Sequence, residues 1–300
     1  MRPALTLVRQ IFRTHVRPVS GTLTGQPAGR WRYLSFIMKS MKWLTGILTV
    51  GAFAVLYIFE KKRPLRGQIE QKEISTLRNL AIASTAGVAI NFLEKPVTGK
   101  LTKFVEENNV GLLKIFKLPK FLETALAIIL LDYTLYLWHV LTHKLTFLWR
   151  FHRIHHADLD LTASTAIRFH FGEISISVIF RAGQILLIGV SPKALEIWQN
   201  LLILSVFFHH SNINLPKSFE EKLEKFIVTP RLHGIHHSEK QDEMDSNWSS
   251  GLSIWDSLHG TFRNDIPQNE IRIGVSGFNS KEDVTLGKML IEPFSLMDNG

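Results

Sequence analysis

The sequence predicts an all-α integral membrane protein with about four to five transmembrane or re-entrant helices. It also predicts a histidine-rich site for two metal ions, which caps one membrane face. Three observations support this class. The 300 residues are 45% hydrophobic, with a mean hydropathy of +0.08. Long uncharged runs recur along the chain, and most of the 13 histidines follow the ends of such runs.

The N-terminal segment is basic. No acidic residue precedes Glu60, and arginines are scattered through residues 1–37. This composition is typical of a targeting segment; the alternative is an upstream start or disordered leader, with the conventional chain beginning at Met38 or Met41. We therefore treat residues 1–37 as a basic, targeting-like or disordered extension. His15 lies in this segment, and we expect no site role for it.

Two apolar runs in residues 38–118 predict an N-terminal membrane hairpin. Residues 43–59, "WLTGILTVGAFAVLYIF", are uncharged and near the lower length limit for a membrane span. Residues 80–93, "LAIASTAGVAINFL", are fewer and less apolar. This second run fits either a second span or a buried core helix.

The run at residues 121–141 is long enough to span a membrane but carries ionisable groups, which are costly there and therefore indicate function. Asp132, Tyr136, His139 and His143 are separated by four, three and four positions, a spacing that aligns them on one helix stripe. We expect the stripe to face a site. Asp132 is our catalytic candidate, as the carboxylate that accepts a hydrogen bond from a metal-bound imidazole.

Two further apolar runs, residues 174–190 and 194–208, are separated by "SPK". They predict a tight hairpin of helices with Pro192 at the turn. A hairpin returns the chain to the face that it left, so we expect His209 and His210 to lie beside the earlier histidines.

The pattern H-x-x-H-H occurs twice, as "HRIHH" and "HGIHH". On a helix, residues at i, i+3 and i+4 place three imidazoles around one small volume, where they can bind one metal ion or bridge two. With the H-x-x-x-H and HH pairs, roughly eight to ten neutral imidazoles suit a pair of transition-metal ions. Iron, zinc and copper all accept such ligands.

Composition excludes several other kinds of protein. The chain has no cysteine, which excludes disulfide scaffolds, cysteine-bound zinc, iron–sulfur clusters and haem-thiolate sites. The net charge of +9 is spread between apolar runs, without a nucleic-acid-binding motif. We therefore expect a membrane partner and no nucleic acid.

Five segments resemble, in order, the signatures of the fatty acid hydroxylase superfamily, which includes the sterol desaturases. They are "DYTLYLWHVLTH", "WRFHRIHHADLDLTASTAIRFHFGE", "FFHHSNINLP", "TPRLHGIHHSEKQDEMDSNW" and "LSIWDSLHGTF". Order, spacing and flanking residues agree over residues 132–262. On this resemblance we assign residues 119–265 to a catalytic domain and residues 266–300 to a C-terminal tail.

The resemblance implies a membrane-bound di-iron oxygenase, either a hydroxylase or a desaturase, which acts with O2 on a C–H bond of a lipid such as a sterol or fatty acyl chain. It implies two iron ions, with zinc as an alternative on purification, and a separate electron donor such as a cytochrome b5-like protein, a ferredoxin or a reductase. The expected location is a bacterial inner membrane or an endomembrane, with the metal site facing the cytoplasm. By position, the implied metal ligands are His139, His143, His152, His155, His156, His209, His210, His233, His236 and His237, with one of the adjacent pair His209 and His210 in excess.

Several assignments stay open. In "RFHFGE" the family usually has proline where Phe171 stands, so His170 fits a structural or a site role, and Glu173 is equally open. We expect Asp245, Asn247 and Asp256 to cap or fix loops, and His259 to pack. Two other functions remain as alternatives: a zinc-dependent membrane lipid hydrolase, and a histidine-rich metal transporter.

Overall fold

The structure, a computed structural model, describes the backbone of residues 28–295 and the side chains of residues 45–295. Residues 28–295 form helices and loops without a β-strand. The α-helices are α1 (Ala28–Lys62), α2 (Lys72–Ala89), α3 (Lys95–Asn108), α4 (Leu112–Ile115), α5 (Lys120–Lys144), α6 (Thr146–His156), α7 (Phe171–Ile188), α8 (Pro192–His210), α9 (Lys217–Leu223), α10 (Pro230–His236), α11 (Gln241–Met244), α12 (Ile254–His259) and α13 (Leu286–Ile291). A π-helical turn, Ile90–Glu94, and two 3-10 turns, Thr165–Ile167 and Glu292–Phe294, complete the set.

Helix α1 begins before the end of the expected basic leader. Its start at Ala28 places the expected boundary at residue 37 inside a helix, and the apolar run 43–59 lies within α1. By contacts the chain divides into two units, Met1–Gly46 and Ile47–Gly300, and the second holds every contact described below. The remaining part of the leader, with His15, lies outside the described residues. The division into four domains stays a prediction.

The apolar run at residues 80–93 is not an isolated span. It belongs to a continuous helical stretch in which α2 passes through the π-helical turn into α3. Pro96 has no N–H for a helical hydrogen bond, which explains why the regular α pattern is interrupted directly before it. Both α2 and α3 pack on α7.

Helices α5 and α7 are, among the described residues, the two that are long and apolar enough to cross a membrane. Glu123 in the first turn of α5 and Lys144 in its last turn have the charges that suit the helix dipole. Of the four to five predicted spans, the structure therefore supports two by length and composition. The larger number stays a prediction.

The hairpin of α7 and α8 has the expected turn. Helix α7 ends at Gly189, whose φ of +87° is in the left-handed region that glycine favours. Ser191 then caps α8 by accepting a hydrogen bond from the Ala194 amide at 3.2 Å, and Pro192 occupies the first helical position. Both helices pack on α5, so the end of α8 returns to the end of α5 that carries its histidines.

Candidate metal centre

The candidate ligands lie at the C-terminal ends of four helices. His139 and His143 occupy the last turns of α5, and the triple of α6 ends that helix. His209 and His210 end α8, while the second triple ends α10 and continues into its C-cap residue. Nine of these imidazoles are buried and His143 is half-buried. Residues far apart in sequence therefore converge in one dry region, as the hairpin argument predicts.

The histidines form two neighbouring groups of four, within each of which the candidate ligand atoms lie within 4.8 Å of one another. The first group is His139, His143, His152 and His156; the second group is His155, His210, His233 and His237. His236 lies near both, because it forms a third set with His156 and His237. The rings of His156 and His237 stack with centroids 4.1 Å apart, so the two groups are adjacent.

His209 is the one candidate ligand that belongs to none of the three sets. Its ring lies 4.1 Å from that of His233 between centroids, but neither nitrogen has a hydrogen-bond partner among the described residues. The Nε2 atom of His210, by contrast, lies 3.0 Å from Nε2 of His155. Of the adjacent pair, the geometry favours His210 as the ligand.

Several imidazoles are oriented by an acceptor on their outer nitrogen. His139 Nδ1 donates to the Trp248 carbonyl at 2.6 Å, and His236 Nδ1 donates to the Ser246 carbonyl at 2.8 Å. Because a carbonyl oxygen can only accept, Nδ1 carries the proton in both rings. The Nε2 lone pair then faces the other histidines.

This donor set fits metal ions. The Nε2 atoms of His139 and His236 lie 3.1 Å apart, which brings two lone pairs face to face in a dry interior. Burial lowers the pKa of His236 to about 3 and holds the pKa values of His155 and His156 well below the usual range. The rings are therefore neutral, which is the form that binds metal. A cation bound between the lone pairs would remove their repulsion.

Comparison with known proteins agrees with this geometry. The sequence model of the family "Fatty acid hydroxylase" matches residues 124–261. The chain carries a fatty acid hydroxylase domain. The matched residues lie inside the region assigned to catalysis and contain every candidate ligand.

Relatives of this fatty acid hydroxylase domain include enzymes of lipid oxidation. An ornithine lipid hydroxylase of Rhizobium tropici is 25% identical over 83% of this chain and 75% of its own length. The human alkylglycerol monooxygenase is 33% identical over 44% of this chain, which spans only 28% of that enzyme. The human cholesterol 25-hydroxylase is 25% identical, over 45% of this chain and 49% of its own length. No solved structure matches. The relatives support a lipid oxygenase, and hence an oxidoreductase, in a membrane context.

Asp132 has other partners in the fatty acid hydroxylase domain than the expected imidazole. Its carboxylate accepts hydrogen bonds from the Leu252 amide at 3.0 Å and from Trp255 Nε1 at 2.7 Å. A Cβ on Gly251 would lie 2.1 Å from Asp132 Oδ1, so the loop can approach the carboxylate only with glycine there. Asp132 lies on the predicted helix together with His139. Its carboxylate, however, accepts hydrogen bonds from the loop and not from an imidazole. A catalytic role for Asp132 stays a prediction.

The loop that supplies the Trp248 carbonyl is fixed by Asp256. This buried carboxylate accepts from the Trp248 amide at 2.9 Å and from the Ser249 amide at 3.0 Å. Asn247, whose φ is +51°, binds the Leu232 and Arg263 carbonyls through its side-chain amide. These are the loop-fixing contacts that the sequence predicts for both residues. They hold the carbonyl that orients His139.

Glu173 lies at the site, whereas His170 has a structural position. His152 Nδ1 donates to the Glu173 carboxylate at 2.9 Å, so Glu173 orients a ring of the first group. His170 caps α7 by accepting from the Gly172 amide at 2.9 Å, and its Nε2 faces the Leu290 carbonyl at 3.2 Å. His259 stacks on Tyr136 with ring centroids 4.9 Å apart, which is the expected packing role.

A buried polar layer beside the histidines has no recognisable sequence pattern. Glu60 accepts hydrogen bonds from the Ala163 and Asn212 amides, both at 2.7 Å, and pairs with Lys72. Arg168 is completely buried and donates to the Ile154 carbonyl at 2.8 Å. These contacts hold the segments that follow α6 and α8. The only signal for them in the sequence is the position of Glu60, the first acidic residue, directly after an apolar run.

Proposed function

We propose that the protein is a membrane-bound di-iron oxygenase that uses O2 and two external electrons to oxidise a C–H bond of a lipid. Two adjacent groups of neutral, buried imidazoles carry this proposal, because such ligands suit a pair of iron ions. When bound, the irons would supply the redox chemistry that activates O2. The first and second groups, joined by His236, are the proposed ligands.

The residues around the proposed metal pair would orient the ligands and exclude water. Glu173 and the Trp248 carbonyl fix His152 and His139, and these contacts set which nitrogen is free to bind metal. Phe169 covers His155, with the two rings stacked at 4.5 Å between centroids. An ordered and dry ligand set limits unproductive release of reduced oxygen.

A lipid substrate suits the space beside the histidines. A cavity of about 180 Å³ is bordered by His139 and His155 on one side and by apolar groups such as Leu135 and Phe180 on the other. Sterols, fatty acyl chains and ether lipids are all candidate substrates. The three relatives described above are named as hydroxylases or a monooxygenase, which favours hydroxylation over desaturation as the outcome.

Labelled dioxygen tests the proposal. The full chain, reconstituted with iron, a reductant and a redox partner, is given membrane lipid extract and ¹⁸O2, and the products are analysed by mass spectrometry. Hydroxylation gives labelled hydroxylated lipid, while desaturation gives an unlabelled alkene. Label that enters from water without any reductant would instead indicate a zinc-dependent hydrolase. Metal content near two iron ions per chain is expected; exchangeable metal without redox activity would indicate a transporter.

We also propose that the electrons come from a separate donor, of the cytochrome b5-like, ferredoxin or reductase type. Trp149 supports an approach from the surface beside the first group. It is half-buried, and its ring centroid lies 5.0 Å from that of His143 and 5.6 Å from that of His156. Donors of the three types can be compared by the rate of lipid-dependent oxygen consumption.

The metal face is proposed to be cytoplasmic, in a bacterial inner membrane or an endomembrane, because basic residues accumulate on cytoplasmic loops. The natural chain has no cysteine, so single cysteines report accessibility without background. Lys240→Cys near the second triple and Glu107→Cys in α3 are both at exposed positions. An impermeant thiol reagent added outside should label only the Glu107→Cys chain. Labelling of the Lys240→Cys chain from outside would contradict the orientation.

A further inference from the structure

The cavity beside the histidines has a second, polar end. It shares Arg181 and Glu94 with a neighbouring cavity of about 370 Å³, which extends between the π-helical turn and α8. Arg181 lies eight residues after Glu173 on α7, so about 12 Å of helix separates it from the residue that orients His152. The space therefore has a metal-binding end and a cationic end.

Arg181 is held in place without an acidic partner in direct contact. Its guanidinium donates to Gln184 Oε1 at 2.7 Å and lies over the Trp198 ring, 4.4 Å from the ring centroid. Gln184 is itself fixed, because its Nε2 donates to Thr134 Oγ1. Among residues 45–295 no carboxylate forms an ion pair with Arg181; Glu94 acts on it only from a longer distance. The guanidinium is partly exposed and borders the cavity, and no carboxylate of the described residues is in contact with it, so it can bind an anionic group that enters this space.

Two more observations indicate a ligand at this end of the cavity. Trp198 is only 2% exposed, and its Nε1 has no hydrogen-bond acceptor among the described residues. Glu94 ends the π-helical turn, a kind of distortion that is frequent at functional sites, and accepts a weak contact from Gln199 at 3.3 Å. An unpaired donor, a cation without an ion pair and an available acceptor thus border the same space.

We propose that Arg181, with Trp198 and Glu94, recognises the polar end of the substrate. The substrate would be a lipid whose polar end carries an anionic oxygen, a carboxylate or a phosphate, with an N–H or O–H group beside it. The guanidinium binds the anion, the Trp198 N–H is a second donor, and Glu94 accepts from the adjacent N–H or O–H. The reacting carbon then lies at the histidines, at the other end of the cavity, since about 12 Å of helix separates positions 173 and 181.

This inference rests on the proposed oxygenase function, but binding tests it without turnover. The probes are a long-chain N-acyl amino acid and its methyl ester, which differ only in the anion, and a lysophosphatidate as the phosphate source. Ligand-induced stabilisation of the full iron-loaded chain in detergent gives the affinities. We expect the natural chain to bind an anionic probe about 10-fold or more tightly than the ester, since a charge-assisted hydrogen bond contributes a factor of that order. The anionic probe that binds more tightly shows whether the natural anion is a carboxylate or a phosphate.

Variants then assign the preference to Arg181. Arg181→Gln should reduce the affinity for the anionic probe to that for the ester. Arg181→Lys should recover part of it, because lysine keeps the charge but not the planar contact with Trp198. Lys193→Gln, which removes an exposed charge at the start of α8, is the matched control and should change neither affinity.

Two results would overturn the inference. One is equal binding of acid and ester by the natural chain, a comparison that stands even if Arg181→Gln does not fold. The other is a preference for the anion that survives in folded Arg181→Gln. Failure of the oxygenase proposal gives a different result. An iron-loaded chain that consumes no O2 with any lipid refutes that function. The binding comparison still tests the role of Arg181.

Discussion

The two histidine groups differ in what holds their rings. In the first group, two of the four rings, His139 and His152, donate to a fixed oxygen, the Trp248 carbonyl and the Glu173 carboxylate, whereas His143 and His156 have no hydrogen-bond partner within residues 45–295. In the second group, His210 donates to the Val206 carbonyl of its own helix, but Nδ1 of His155, His233 and His237 has no partner among the described residues. Ring packing holds these three, as in the stack of His155 on Phe169.

The rings of a metal site can thus be oriented in two ways, by hydrogen bonds or by packing. An acceptor from a distant segment fixes the tautomer and raises the basicity of the ring, whereas packing fixes only its direction. We therefore expect the first group to depend on charge and hydrogen bonding outside the ligands. The second group should depend more on shape. The following changes test this contrast, beginning with the most severe.

Removal of one proposed ligand should have the largest effect. His155→Ala and His236→Ala each remove an imidazole from the proposed metal site, so we expect loss of metal and of lipid-dependent O2 consumption. Membrane insertion should persist, because the helices associate through apolar packing. Metal analysis and membrane fractionation check the two expectations. Full iron and turnover in either variant would show that the metal site is elsewhere.

Glu173→Gln should weaken the first group through His152. Loss of the negative charge behind a ligating histidine typically lowers metal affinity about 10- to 100-fold. Competition with a chelator, followed by metal analysis, measures the change. Glu196→Gln, at an exposed position of α8, is the matched control and should retain natural affinity.

Phe169→Leu is the corresponding change beside the second group. It removes the ring stacked on His155 but no charge, and an aromatic contact contributes roughly 0.5–1.5 kcal/mol. We expect a loss of metal affinity of only several-fold in the same chelator assay. If Phe169→Leu lowers metal affinity as much as Glu173→Gln does, packing is as important as hydrogen bonding. The contrast between the groups would then not hold.

Asp132→Asn should destabilise the fold more than the metal site. The amide keeps an acceptor but loses the charge that binds the Leu252 amide and Trp255 Nε1, at a cost of about 1–2 kcal/mol. Thermal unfolding in detergent should therefore shift downwards while iron content is retained and turnover falls. Iron loss as complete as in His236→Ala would mean that Asp132 supports the ligands directly.

His259→Phe should have the smallest effect. The ring stacks on Tyr136 outside both histidine groups, and phenylalanine preserves that stacking. Iron content and turnover should equal those of the natural chain, with stability changed by no more than about 0.5 kcal/mol. A marked loss of iron would place His259 in the metal site after all.

The sequence predicts which histidines converge better than it predicts the groups that orient them. Histidine spacing and the Ser191 and Pro192 turn are local patterns, so the ends of α5, α6 and α8 could be expected to meet before the structure was known. The acceptor of His139 is a backbone carbonyl, which exists in every residue and has no signature. Asp132 shows the same limit: its helix face was predictable, but its partners come from a loop 120 residues later.

The polar layer was unpredictable for a related reason. Arg168 is fully buried, although arginine is usually exposed; the Ile154 carbonyl and the Asn79 side chain accept from two of its nitrogens, and Asp158 lies 4.0 Å away. Only the assembled fold brings those groups together. Likewise, the π-helical turn before Pro96 could be expected as a break in a helix, but its place beside the substrate cavity could not.

Glu60 gives the end of helix α1 a structural role beside the histidines. One carboxylate near the end of α1 binds the amides of Ala163 and Asn212, which follow the triple of α6 and the histidine pair of α8. Without the Glu60 carboxylate, both buried amides would lose their acceptor, at a cost of about 1–3 kcal/mol each. We therefore expect metal binding at the proposed site and the packing of this end of α1 to be thermodynamically linked. Chelation of the metal should speed hydrogen exchange at these two amides, and a chain shortened to the hydroxylase domain should bind metal weakly even with every histidine present.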